Sequence, residues 1–198
     1  MTRSFIIQRV LIKLDEISEL EESFDSLRSL ADNLLDESAN DLLMLLPFHW
    51  LPLTGMQPAN DEQVENGTTG YIKLPADFLR LGKLKMAQWQ KPVFYAYPEG
   101  HPVAEKQSYP SLRGGTAKPV AVISNNETGK RLYYYSVKDS HMVEDLDYVK
   151  FHEGDQMPDN LVDPLTWMAA TKVLQAMGEA KGHEAAMMQV NNWIKTHQ

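Results

Sequence analysis

Six histidines, His49, His101, His141, His152, His183 and His197, raise metal chemistry first. None stands at the spacing that puts two imidazoles on one helix face, and with no cysteine in the chain no thiolate can complete a zinc set or act as a nucleophile. The densest ionisable group is His141, Glu144, Asp145, Asp147, His152, Glu153 and Asp155. A calcium loop needs alternating oxygen ligands about a central glycine. Residues 146–151, LDYVKF, instead alternate as a strand does, and the group reads as a solvated acidic edge. Arg113-Gly114-Gly115-Thr116 looks like a phosphate cradle, but such loops open a helix, and Val120 to Ile123 after Pro119 read as a strand. No serine lies in a strand-turn-helix elbow, and the many carboxylates come without a recognisable pocket. Tyr133-Tyr134-Tyr135 beside Lys130 and Arg131 has the composition of a base-stacking platform. In an alternating strand Leu132 and Tyr134 share one face while Tyr133 and Tyr135 share the other, so packing on the sheet faces is their expected role. The reading is therefore of packing surfaces: no catalytic residue, no cofactor and no metal ion is expected.

The elements that must carry those surfaces follow from composition and period. A chain of 198 residues with 43% hydrophobic content can close a core without metal or disulfide staples. Neither a signal peptide nor a membrane-spanning segment is expected, which points to synthesis in a cytoplasm and makes turns of the triplets Asn66-Gly67-Thr68 and Asn126-Glu127-Thr128. Charge is segregated. Residues 15–65 hold thirteen carboxylates against Arg28 alone, whereas residues 66–135 hold ten Lys or Arg against four acids, inside a net charge of -8. Acidic helices of one subunit facing the basic segment of a neighbour would set the register of a head-to-tail assembly.

Ile7, Val10, Leu11, Leu14 and Ile17 recur at helical steps and predict a helix over residues 4–18. Ser23 then reads as the N-cap of a long amphipathic helix running to Pro47, whose apolar end, residues 42–46, should be buried against the fold or another chain. Residues 48–70 read as a long connecting loop. Strands are expected from residue 69 onward. Residues 118–124 and 130–137 flank a turn cluster and form the clearest hairpin, residues 93–97 and 144–151 are weaker strands, and residues 98–115 hold too many breakers for regular structure. Asp163-Pro164 reads as a cap and first turn of a third helix ending at Gly178, and an alanine-rich partner over residues 182–195, presenting Ala185, Met188 and Trp193, completes a helical hairpin. The expected fold is α+β. Residues 1–68 and 152–198 form a helical body, and residues 69–151 form an inserted antiparallel β domain with an extended loop near residues 98–116.

Within that frame residues 71–93, YIKLPADFLRLGKLKMAQWQKPV, carry a Leu-Pro-x-Asp-Phe-x-Arg-Leu phrase in which a strand ends at Pro75, Ala76-Asp77-Phe78 turns, and a second run reaches Trp89. With Leu14-Asp15-Glu16 in the first helix, a long helix ending in proline and the alanine-rich pair, this order of features resembles the head–tail connector family of tailed bacteriophages. The likeness is to the adaptor, neck or ring proteins of short-tailed, crAss-like phages. The resemblance implies a ring of about twelve copies between portal and tail, with helices as the ring body and the β insert meeting neighbours. Its partners would be other copies of the chain, the portal protein, adjacent tail or ring proteins, and genomic DNA passing through the lumen without specific binding, with no membrane; its place would be the virion, assembled in the host bacterial cytoplasm. The long loop after Pro47 and the excursion near residues 98–115 depart from the pattern.

The candidate oligomer or partner interface is Leu45, Leu46, Phe48, Trp50, Phe78, Arg80, Trp89, Arg113 and Arg131. An acidic lumen lets DNA slide, because phosphate contacts would add affinity with every neutralised charge. Asp32, Asp36 and Glu37 are the candidate channel-lining acids. Two other classes stay open: a small carbohydrate- or protein-binding module using the aromatics of the insert, and a DNA-packaging accessory protein with Lys83, Lys85, Lys91, Lys118, Lys130 and Arg131 as a phosphate track.

Overall fold

The computed structural model describes residues 1–17, 23–57, 62–127, 129–137 and 141–197, with residues 62–66 described as backbone only. The chain forms two compact units, Met1–Leu51 with Phe151–Gln198, and Pro52–Lys150. The expected α+β class is observed, with helices from both ends of the chain in one unit and strands in the other.

In the helical unit α1 (Arg3–Ile17) buries Ile7, Val10, Leu11 and Leu14 of the predicted stripe together with Ile6, while Ile17 is only half-buried. α2 (Phe24–Leu45) starts where Ser23 Oγ accepts the Ser26 N–H at 3.3 Å, which satisfies one of the amides a helix start leaves unpaired. A four-residue helix, α3 (Pro102–Glu105), belongs to the other unit. α4 (Val162–Ala176) is apolar on nearly every face, as a central helix must be, and packs against α1, α2 and α5 (Ala180–Thr196). Asp163 is not its cap. A 3-10 turn over Asp159–Leu161 leads into the helix, and the Asp163 carboxylate accepts from Arg9 Nη2 at 3.2 Å. Gly178, at φ +78°, ends α4 as expected, with the Glu179 amide donating to Leu174 O at 2.9 Å. The buried line of α5 is Gly182, Ala186 and Val190 rather than Ala185, Met188 and Trp193, because a Cβ at Gly182 would already meet Leu174 at 3.0 Å.

The β unit holds β1 (Thr54–Gly55), β2 (Glu62–Asn66), β3 (Thr69–Lys73), β4 (Phe78–Met86), β5 (Ala96–Pro98), β6 (Ala121–Asn126), β7 (Gly129–Tyr135) and β8 (Val143–Lys150). They form a three-stranded sheet, β1-β8-β4, and a five-stranded sheet, β2-β3-β7-β6-β5. Residues of both sheets meet in one core, including Ile72, Phe78, Leu84, Trp89, Leu132, Tyr134, Leu146 and Tyr148. The predicted hairpin is β6–β7, with Asn126 opposite Gly129; Thr128 of its turn lies outside the described residues. Leu132 and Tyr134 are fully buried while Tyr133 and Tyr135 are half-buried on the opposite face, as the alternation requires.

Three features differ from the sequence expectation. The unit boundary falls at Leu51/Pro52, not after residue 68, because Thr54 pairs with Tyr148 and Gln63 with Tyr71: the stretch read as a loop supplies two strands. The insert is not wholly antiparallel, since β5 runs parallel to β6. The breaker-rich excursion contains α3, started by Pro102 in the first turn and by His101 Nδ1 accepting the Val103 amide at 3.1 Å.

Candidate functional site

At the end of α2 the period leaves Met44 and Leu45 about half exposed, at 51% and 49%, while Leu42, Leu43 and Leu46 are buried. Phe48, one turn further, is 38% exposed. Met44 and Leu45 border a groove of about 260 Å³ walled by Met168 and Met187, with Asp41 and Lys172 ion-paired at its rim. Trp50 is held differently: its indole N–H donates to His197 O at 2.8 Å and its ring meets Trp193 edge-on at 5.2 Å. Of the candidate interface residues in this unit, Leu45 and Phe48 are therefore exposed, Trp50 clamps the end of α5, and Leu46, at 2% exposure, belongs to the core.

In the β unit Phe78 and Trp89 are also core residues, 1% and 2% exposed, and not interface residues. Phe78 opens β4 instead of closing a turn and stacks on Tyr148 at 5.7 Å; the Trp89 indole donates to Tyr135 O at 3.2 Å. Arg80 and Arg131 are half-buried, and the Arg131 guanidinium lies 4.3 Å from the centre of the Tyr71 ring. The lysines of β4 are paired within the unit, Lys83 with Asp145 and Lys85 with Glu144. The acidic edge of β8 is thus partly neutralised by its neighbour strand.

The candidate channel acids are bound by cations of their own chain. Arg3 reaches from α1 to both Asp32 and Asp36, and Lys172 reaches from α4 to both Glu37 and Asp41. α2 carries five carboxylates against Arg28, a balance of -4, which Arg3 and Lys172 bring to -2. Asp36 also accepts the Gly154 amide at 2.8 Å. Burial pushes the Asp36 carboxyl up, but the Arg3 guanidinium and the Gly154 amide outweigh it and hold it below its usual value. A depressed carboxylate stabilises the fold above its unfolded pKa and loses that contribution as pH falls through the folded one. Asp36→Asn is therefore expected to lower the urea midpoint at pH 7, with the gap to the parent closing below about pH 4. A gap that persists unchanged at pH 3 would show that the carboxylate charge is not what matters.

The excursion that the sequence left irregular builds a cleft of about 530 Å³ with the outer face of the five-stranded sheet. Its floor is Thr69, Val122, Ser124, Tyr133 and Tyr135, which the register places on one face: Thr69 opposite Tyr135 and Val122 opposite Tyr133. Its wall is Glu99, Glu105, Gln107 and Arg113. Gln107 is 2% exposed and ties the wall together, its Nε2 donating to Val103 O at 2.9 Å and its Oε1 accepting the Gly114 amide at 3.0 Å. Arg113 Nε donates to Gln107 O at 2.6 Å and its Nη1 to Thr68 Oγ1 at 3.2 Å. Ser124 Oγ donates to Glu99, and Ser136, in the left-handed region at φ +62°, donates its hydroxyl to Gly114 O. Arg113 and the shared face of Tyr133 and Tyr135 were legible in the sequence, but Glu99 and the meeting of wall and floor were not, since these come together only through non-local strand pairing.

Among the described residues no three His, Asp or Glu converge to hold a metal ion, and no helix is long and apolar enough to cross a membrane. These residues define an α+β protein whose terminal helices form one unit and whose inserted strands form another. No protein-family model and no curated protein matches the chain.

Proposed function

We propose that the chain is a structural virion protein, a ring-forming head–tail connector subunit that joins the portal to the tail and surrounds the DNA channel. The single observation that carries this reading is the uncovered apolar end of α2. Met44, Leu45 and Phe48 stay substantially exposed on a unit whose core is closed by Leu42, Leu43, Leu46 and α4, which supports a surface that a second chain buries. The phrase in residues 71–93, which occupies β3 and β4, supports the same assignment through the family resemblance. α2 keeps a net acidic balance after its internal ion pairs, which suits a wall past which DNA moves without binding.

The test is assembly with a partner present. Mixed with the portal of the phage that encodes it, the chain is expected to form rings of about twelve copies visible by electron microscopy. Leu45→Asp with Phe48→Asp should abolish those rings while the isolated chain still folds, as its circular dichroism and a cooperative urea transition would show. Absence of the chain from purified virions would refute the assignment.

A further inference from the structure

The cleft over the five-stranded sheet goes beyond the ring reading and does not depend on it. We infer that it is a binding site for a neutral oligosaccharide. Its volume of about 530 Å³ lies in the range of about 300–1,000 Å³ found for small-ligand sites. Its chemistry narrows the class. Glu99 and Glu105 place two carboxylates in the cleft, which opposes phosphate, sulfate or an acidic peptide. Arg113, fixed by Gln107 and Thr68, places a permanent cation in the same space and opposes a lysine or arginine side chain. A wholly apolar ligand would cover Ala104, Val122 and the tyrosine rings but leave Glu99, Glu105 and Arg113 desolvated without partners on the ligand. An uncharged molecule rich in hydroxyl groups satisfies a fixed acceptor and a fixed donor together, since each hydroxyl both donates and accepts. The tyrosines complete the match: half-buried Tyr133 and Tyr135 offer an aromatic surface with a polar tip, against which the C–H face of a sugar ring packs.

The site is also pre-organised. One Glu99 oxygen is occupied by Ser124, which sets the carboxylate, and Ser136 and Gln107 pin Gly114 so that the wall keeps its distance from the floor. Fixed partners lower the entropic cost of binding a flexible glycan.

The test screens the full chain against an array of neutral and acidic oligosaccharides and then titrates the strongest neutral one by calorimetry, with inorganic phosphate and pentalysine as charged probes. A neutral oligosaccharide should bind saturably. Tyr135→Ala should weaken it about tenfold through the lost ring contact, and Glu99→Gln, a surface change that keeps the Ser124 hydrogen bond, should weaken it about tenfold through the lost charge-assisted bond. Thermal melts of both variants check that the fold is kept. No saturable neutral glycan on the array, binding indifferent to both substitutions, or a preference for phosphate or pentalysine would each overturn the inference.

Discussion

Replacing Gly154 by alanine is expected to destabilise the helical unit by about 3 kcal/mol, at the upper end of overpacking costs. A Cβ on residue 154 would stand 2.3 Å from Leu35 Cγ, and Leu35 is fully buried. Cγ is the branch point of the side chain, so rotating the methyl groups does not clear it. Moving the backbone instead would break a set of bonds that dock this segment on α2: the Gly154 amide to Asp36, and the reciprocal pair in which the His152 amide donates to Asn40 Oδ1 at 3.0 Å and Asn40 Nδ2 donates to His152 O at 3.1 Å. The entropy that alanine removes from the unfolded chain works the other way, but is worth only about 0.4–1 kcal/mol. Leu35→Ala alone should cost about 2–5 kcal/mol by leaving a cavity. In the double variant the new methyl group enters that cavity, so the two losses should fall well short of additive. Urea unfolding of the four proteins measures this directly. Strict additivity, or an alanine variant as stable as the parent, would remove the close approach as an explanation.

Phe78→Ala and Trp89→Ala should each cost the β unit about 3–5 kcal/mol, because both rings are core and neither is available to a partner. Truncation of Phe78 deprives Tyr148 of its stacked neighbour, and truncation of Trp89 also leaves Tyr135 O without the indole donor. Hydrogen exchange should show lost protection spread over β3, β4, β7 and β8. Were these residues interface anchors, the isolated chain would keep its protection and only assembly would suffer. That result would return Phe78 and Trp89 to the surface.

The sequence was most informative where structure is local. α1 and α2 follow from a 3.6-residue period, Ser23 from its hydroxyl at a helix start, Gly178 from the left-handed position that ends α4, and β6–β7 from a turn cluster between alternating runs. It failed where a short segment takes its identity from a distant partner. Thr54–Gly55 is a strand because residues 147–148 lie beside it, and the strand expected over residues 93–97 shifts to Ala96–Pro98, where it runs parallel to β6. Phe78 shows the same limit at one residue: its proximity to Pro75 suggested a turn, while its pairing with Lys150 makes it the first residue of a strand and turns its ring into the core. The acids of α2 were visible as a charge run, but Arg3 and Lys172, which bind them, come from 29 or more residues away. The cleft escaped in part: alternation placed Tyr133 and Tyr135 on one face, but the wall meets that floor only through β5–β6 and β6–β7 pairing.

The central place of α4, packed on α1, α2 and α5, sets an order of events on the ribosome. Every strand of the β unit has been translated before the first residue of α4 exists, so that unit can close while the chain is still growing. α1 and α2 are made before the β unit yet completed after it: until α4 emerges, the apolar stripes of Val10, Leu14, Leu35 and Leu42 lack the surface that covers them. The growing chain therefore carries these uncovered stripes throughout translation of the β unit, and its nascent-chain hazard lies in α1 and α2.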